Sequence, residues 1–234
     1  MRREVFNDAG ERNLVFVLGW GNRIDHENVQ WVVDRLVDAD YRVTVFQIPT
    51  VITDFDAEWV APVAEYVDDL EGYRLLTHST GGLIAEFLEG AETRVYLSPW
   101  WGFHDDLRTP VVSLLLKLPV SRSILPTGGT DREMLGELAT DRQLADTPGR
   151  VAPTFLREAK RAQRRLPPFQ FPESGVVFYT PDDAVVGVDA ILERAPESNR
   201  VAYEGGHQLF DSPSRETHVG TILDALEAGR AALE

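Results

Sequence analysis

The sequence predicts an α/β domain: a mainly parallel central sheet flanked by helices, with a helical segment inserted after the fourth strand. Three observations predict it. Apolar runs of strand length alternate with stretches whose apolar residues recur at helical spacing. The runs are continuous rather than alternating, as in strands covered on both faces. The alternation then lapses over residues 102–172 and resumes afterwards.

The elements follow in order. Leu14 to Leu18 is an uninterrupted apolar run closed by Gly19, a central strand. Val29, Val32, Val33, Leu36 and Val37 then repeat at helical spacing. Arg42 to Ile48 reads as the second strand and stops at Pro49. Trp59 to Leu70 can form a helix, with Asp56 placed near its start as a cap. Tyr73 to Thr77 is the third strand and feeds a helix from Gly81 to Leu88. Arg94 to Leu97 is the fourth, closed by Ser98-Pro99. Within the insertion, Val111 to Leu118, Arg132 to Leu138 and Thr154 to Leu166 have helical patterns separated by Pro and Gly clusters. Gly175 to Tyr179 is the next strand, Val188 to Leu192 a short helix, Asn199 to Tyr203 the last strand and Glu216 to Leu233 the closing helix. The chain thus divides into a core, 1–101 and 173–234, and an insertion, 102–172.

Composition narrows the function classes. At 234 residues with 43% hydrophobic content, one sizeable packed core is expected. The absence of cysteine excludes disulfides, thiolate metal ligands and a cysteine nucleophile. No stretch reaches the roughly 18 apolar residues of a membrane helix, and no signal-type apolar segment follows Met1-Arg2-Arg3-Glu4. A soluble cytoplasmic protein is the expectation. The chain carries 38 acidic against 23 basic residues, a net charge of -15 that would repel a phosphate backbone and disfavours nucleic-acid binding. Only Lys117 and Lys160 among the bases are lysines. A carboxylate-rich, lysine-poor chain fits a halophilic origin, because molar salt shortens the Debye length to about 3 Å and screens the self-repulsion. The insertion differs in sign: it holds 11 bases and 8 acids, a net of +3, leaving -18 for the rest.

The candidate chemistry begins at Thr77-His78-Ser79-Thr80-Gly81-Gly82, where an apolar strand gives way at once to a helix. A serine on so sharp a turn presents its hydroxyl beyond the strand end, the position of a nucleophile, although Ser79 alone could equally be a helix cap. A nucleophilic serine needs a base, a carboxylate to orient that base and donors for the oxyanion. Loops behind two later strands supply the first two: Thr180-Pro181-Asp182-Asp183-Ala184-Val185-Val186 and Glu204-Gly205-Gly206-His207-Gln208-Leu209-Phe210. The order is Ser, Asp, His, each behind its own strand. Gly19-Trp20-Gly21 fails as a dinucleotide fingerprint, since Ile24 replaces the third glycine and no ribose-binding acid follows the second strand. No His-x-x-x-His or acidic cluster suggests a metal, so no cofactor is expected.

On these residues the chain resembles the α/β-hydrolase superfamily, from about Leu14 to the C-terminus. The family's Gly-x-Ser-x-Gly elbow corresponds to Thr77-His78-Ser79-Thr80-Gly81, with Thr77 where glycine is usual. Its acid loop, Asp-x-x-Val, corresponds to Asp183-Ala184-Val185-Val186; Asp182 is the adjacent rival, and the spacing to Val186 favours Asp183. Its histidine corresponds to His207. The resemblance implies oxyanion donors at the backbone N–H groups of Thr80 and Trp20, and a helical cap formed by the insertion. Leu18-Gly19 stands where the family often has His-Gly. Trp20, Trp100, Trp101 and Phe103, with the apolar run Val111 to Leu116, suggest a pocket for an apolar acyl or alcohol group. Trp100 and Trp101 could instead be core. Arg157, Arg161, Arg164 and Arg165 share a helical face, either solvated and paired with carboxylates or a lip for anionic substrates. The expected activity is that of a serine esterase acting on a small-molecule carboxylic ester. Thioester or amide hydrolysis and acyl transfer use the same parts, and a non-catalytic ligand-binding protein on the same scaffold is the alternative from another class.

Overall fold

The computed structural model describes residues 1–104, 118–127, 131–167 and 171–234. Seven strands form one sheet: β1 (Arg2–Phe6), β2 (Arg12–Val17), β3 (Tyr41–Gln47), β4 (Tyr73–His78), β5 (Ala91–Leu97), β8 (Gly175–Tyr179) and β9 (Arg200–Ala202). Their order is β1-β3-β2-β4-β5-β8-β9. All neighbouring pairs are parallel except β1 with β3, whose register runs from Arg2 opposite Gln47 to Phe6 opposite Val43. A further short ladder, β6 (Leu125–Pro126) with β7 (Arg150–Val151), lies in the segment between β5 and β8.

The continuous apolar runs are explained by two cores, one on each face. In β2, Leu14 and Phe16 join one cluster while Val15 and Val17 join the other, because successive side chains point to opposite faces. Helices α1 (Glu27–Asp38) and α8 (Arg215–Ala228) cover the first face through Val29, Val33, Leu36, Ile222, Ala225 and Leu226. Helices α2 (Ala61–Asp68), α3 (Thr80–Ala85), α6 (Pro153–Gln163) and α7 (Val188–Arg194) cover the second, through Val63, Leu83, Phe155 and Ile191 among others. Fully burying side chains of this size contributes about 1.5–3 kcal/mol each. Two short helices, α4 (Arg132–Leu135) and α5 (Asp141–Asp146), complete the described part of the segment between β5 and β8. The expected helix from Val111 to Leu118 lies, but for Leu118, outside the described residues.

The six expected strands and the helices of the core are present. Strand β1 is an addition. Its sequence, Arg-Arg-Glu-Val-Phe, has no apolar run because it is an edge strand with exposed Arg2 and Arg3 and a half-buried Glu4, a composition that discourages pairing with other chains. The start of the second helix also differs. A π-helical turn at Asp56–Val60 leads into α2, and Asp54, not Asp56, supplies the cap: its Oδ1 accepts from Ala57 N–H at 3.0 Å. Glu58 reciprocates by accepting from the N–H groups of Thr53 and Asp54, an arrangement close to a capping box. Asp56 pairs instead with Arg165 at 2.7 Å.

Because β2, β4, β5, β8 and β9 run the same way, the loops that follow them gather at one edge of the sheet. That edge is where open α/β sheets bind ligands.

Candidate active site

Strand β4 ends at His78 and α3 begins at Thr80, so a single residue reverses the chain. Ser79 does so at φ 50°, ψ -114°, a conformation that costs a non-glycine residue about 1–3 kcal/mol. Three hydrogen bonds hold it there: Ser79 N–H donates to Leu97 O at 3.0 Å, and Ser79 C=O accepts from Gly82 N–H and Trp100 N–H, both at 2.9 Å. Gly81 has no alternative at its position. A Cβ there would lie 2.2 Å from the carbonyl oxygen of Val17, because α3 starts against the end of β2. Thr77, on the strand side of the turn, fits as a buried residue.

The loop after β8 carries Asp182, which is exposed, and Asp183, which is buried. Asp183 Oδ1 accepts from the N–H groups of Val185 at 2.8 Å and Val186 at 3.0 Å. Its other oxygen, Oδ2, lies 2.8 Å from His207 Nδ1, so the imidazole carries its proton on Nδ1 facing the carboxylate. Burial alone would push the Asp183 carboxyl up. The charge and hydrogen bond of His207 and the two backbone N–H groups outweigh it and hold the group below the usual carboxylate range.

His207 is buried, and its Nε2 makes no hydrogen bond to Ser79 or to any other group among the described residues. Its ring lies against that of His78, the residue before Ser79, with centroids 4.9 Å apart. Catalytic hydrogen bonds commonly tighten only when substrate is bound. The arrangement therefore brings Asp183 and His207 into a bonded pair beside the Ser79 turn and leaves Nε2 unengaged. Thr80 is the first residue of α3, where the backbone N–H has no intrahelical partner. Trp20 follows β2 on the adjacent loop.

Neither a family model nor a curated protein matches the sequence. Solved structures do. A monoacylglycerol lipase from Paleococcus ferrophilus superposes with a TM-score of 0.75 over 97% of this chain and 98% of its own, at 16% identity. The chain has the α/β-hydrolase fold. A monoglyceride lipase from Saccharomyces cerevisiae (TM-score 0.73, 12% identity, covering 96% of this chain and 90% of that one) has the same architecture. So does an esterase from Exiguobacterium antarcticum (TM-score 0.67, 14% identity, 96% and 94%).

Around the Ser79 turn of this α/β-hydrolase fold, aromatic side chains form a connected group. The Trp20 ring lies 5.3 Å from Phe155, Phe155 stacks on Trp100 at 5.7 Å, and Trp100 meets Phe103 edge-on at 5.0 Å. Phe103 also bridges to Val186 in the Asp183 loop. Trp101 differs from its neighbour: its Nε1 donates to Gly82 O at 3.1 Å and its ring packs on Tyr96 and Phe171, contacts with the scaffold. The arginine face is largely paired. Arg157 and Arg161 meet Glu158, and Arg165 meets Asp56; Arg161, Arg164 and Arg165 are all exposed. Among the described residues, no group of His, Asp and Glu is arranged to hold a metal ion, and no helix is long and apolar enough to cross a membrane.

Several residues around the site have no distinctive local signal. Tyr203 OH lies 2.9 Å from the carbonyl oxygens of both Gly206 and His207 and 2.9 Å from Ser98 Oγ, bracing the histidine loop from β9. Its place at the end of the last strand, just before Glu-Gly-Gly-His, was the available hint. Asn22 and Gln208 are buried behind the site. His26 is also fully buried, with Nε2 3.4 Å from Asp146.

Proposed function

We propose that this chain is a serine hydrolase that cleaves carboxylic esters, with Ser79 as nucleophile, His207 as base and Asp183 as the carboxylate that orients it. The observation that carries the reading is the 2.8 Å Asp183–His207 pair beside a serine held at positive φ. Ester-cleaving neighbours of the same fold support the substrate class.

In the proposed cycle, the Ser79 hydroxyl adds to the ester carbonyl while His207 Nε2 takes its proton. The imidazolium that forms is stabilised by the Asp183 carboxylate, which stays ionised. The tetrahedral oxyanion is held by the backbone N–H groups of Thr80 and Trp20. His207 returns the proton to the departing alcohol, leaving an acyl-serine. Water then attacks the acyl carbon as His207 Nε2 takes its proton; the acyl–Oγ bond breaks, His207 returns the proton to Ser79 Oγ, and the carboxylic acid is released. Trp20, Trp100 and Phe103, with Phe155, line the pocket in this reading and favour apolar acyl or alcohol groups. In the same reading α6 covers that pocket through Phe155.

Turnover of 4-nitrophenyl acetate, butyrate and octanoate tests the proposal. The wild-type protein is expected to hydrolyse them, and Ser79→Ala to lose several orders of magnitude in kcat with an unchanged melting temperature. Hydrolysis that survives Ser79→Ala would overturn it.

A further inference from the structure

The segment between β5 and β8 does more than lie near the histidine loop. His207 N–H donates to Met134 O and Gln208 N–H to Leu135 O, both at 2.8 Å, and Leu138 N–H donates to Asp211 O at 2.7 Å. A Cβ on Gly206 would lie 2.5 Å from the backbone carbon of Leu135, so the two chains touch at the closest approach backbone allows.

Behind this seam runs a buried chain of side-chain hydrogen bonds. His78 Nδ1 lies 2.9 Å from Asn22 Oδ1, and Asn22 Nδ2 donates to Gln208 Oε1 at 3.0 Å. Gln143, on α5, donates from its Nε2 to the same Gln208 Oε1 at 3.0 Å and also to Asp211 Oδ2. His78, Gln208, Gln143 and Asp211 are each at most 5% exposed. The polarity of this chain is forced. Above about pH 7 the Asp211 carboxyl is ionised and its Oδ2 only accepts, so the Gln143 NH2 group points there, and its own Oε1 is left buried without a partner among the described residues. Gln208 must then present its oxygen, Asn22 must answer with Nδ2, and its Oδ1 turns to His78. An amide oxygen only accepts, so His78 carries its proton on Nδ1.

The His78 ring rests 4.9 Å from that of His207. A charged His78 would oppose the imidazolium that the proposed cycle requires on His207. Burial, and then the charge of His207, hold the His78 imidazole neutral, well below the usual histidine range.

We propose that Gln143 is a positioning residue for this reaction: from α5 it fixes the Gln208 and Asn22 amides, and through them the Nδ1–H tautomer of His78 against which His207 rests. The inference builds on the proposed role of His207. It also makes α4 and α5 a fixed part of the site, not a piece that swings away from it.

The test combines kinetics with nitrogen NMR of 15N-histidine-labelled full-length protein. Gln143→Met keeps the volume and removes both donors; Asn22→Leu breaks the chain at its other end. The wild-type His78 signal is expected to report a neutral ring protonated at Nδ1. Both variants should move it to a tautomer mixture, with kcat for 4-nitrophenyl acetate lowered about tenfold and KM within about twofold. A wild-type His78 protonated at Nε2 would overturn the proposal. So would variants that leave its signals and kcat unchanged. If one variant fails to fold, the wild-type spectrum and the other still decide. The spectrum needs no turnover, so an inert wild-type enzyme would refute the hydrolase reading while the tautomer is still read directly.

Discussion

Asp183→Asn separates catalytic geometry from fold with one atom changed. Asp183 Oδ1 accepts two backbone N–H groups, from Val185 at 2.8 Å and Val186 at 3.0 Å. These two donors fix the orientation of a substituted amide, since turning its NH2 towards them would set donor against donor. The amide NH2 must therefore face His207 Nδ1. A donor there forces Nδ1 to accept, the ring proton moves to Nε2, and His207 can no longer take a proton from Ser79. The expected loss in kcat is on the order of 10^4, the scale of a wrong tautomer in a triad. The fold should survive because the backbone hydrogen bonds do. The linkage has a definite sign: the Asp183 carboxyl is held below its usual 3.8, so its contribution is present above about pH 4 and lost as pH falls through the lowered value. The variant should lack that acid limb. The assay is kcat for 4-nitrophenyl butyrate at pH 8, with melting curves from pH 3 to 8. Asp182→Asn, an exposed neighbour, serves as control and should stay within about twofold. An Asp183→Asn enzyme that keeps a tenth of wild-type activity would show that Asp183 does not set the His207 tautomer.

Further outcomes follow from other parts of the molecule. Burial raises the Asp211 carboxyl from 3.8 to about 7 against the opposing hydrogen bonds of Gln143 and Asn28 and the charge of Arg215. The folded state therefore binds this proton more tightly than the unfolded state, and stability falls as pH rises from about 4 to about 7. Asp211→Asn should remove roughly 4 kcal/mol of that slope, read as a gain in urea midpoint at pH 8 that vanishes by pH 4; equal gains at both pH values would contradict it. Gly81→Ala puts a methyl 2.2 Å from Val17 O and should cost about 1–3 kcal/mol in urea unfolding, with lower turnover as Ser79 shifts; an unchanged midpoint would show that α3 can move freely off β2. The net charge of -15 predicts a melting temperature that rises from low to molar KCl, and a flat or falling curve would remove the case for salt adaptation.

What was legible in the sequence was what is written locally. Leu14 to Leu18 and Leu75-Leu76 mark buried strands because both faces of the sheet are covered, and such strands need no alternation. The Ser79 turn shows itself through Gly81, whose missing side chain is demanded by Val17, 64 residues earlier but one strand away. Asp183 and His207 each sit directly behind a strand, so a periodic reading reaches them. The rest depends on contacts that no window of sequence contains. Strand β1 is charged because it is an edge, and so hides the apolar signal that marks a strand. Asp56 has the chemistry of a cap, but its ion pair with Arg165 is decided across the fold and leaves the cap to Asp54. Gln143, Asn22 and Gln208 are unremarkable polar residues until the chain brings positions 22, 143 and 208 together.

An activated nucleophile at Ser79 can be captured covalently. Full-length protein treated with a fluorophosphonate is expected to gain a single adduct that peptide mass mapping places on Ser79. Labelling should fall away in Ser79→Ala and in His207→Ala while both remain folded. Folded wild-type protein that takes up no label, or takes it up on another residue, would show that Ser79 is not the nucleophile.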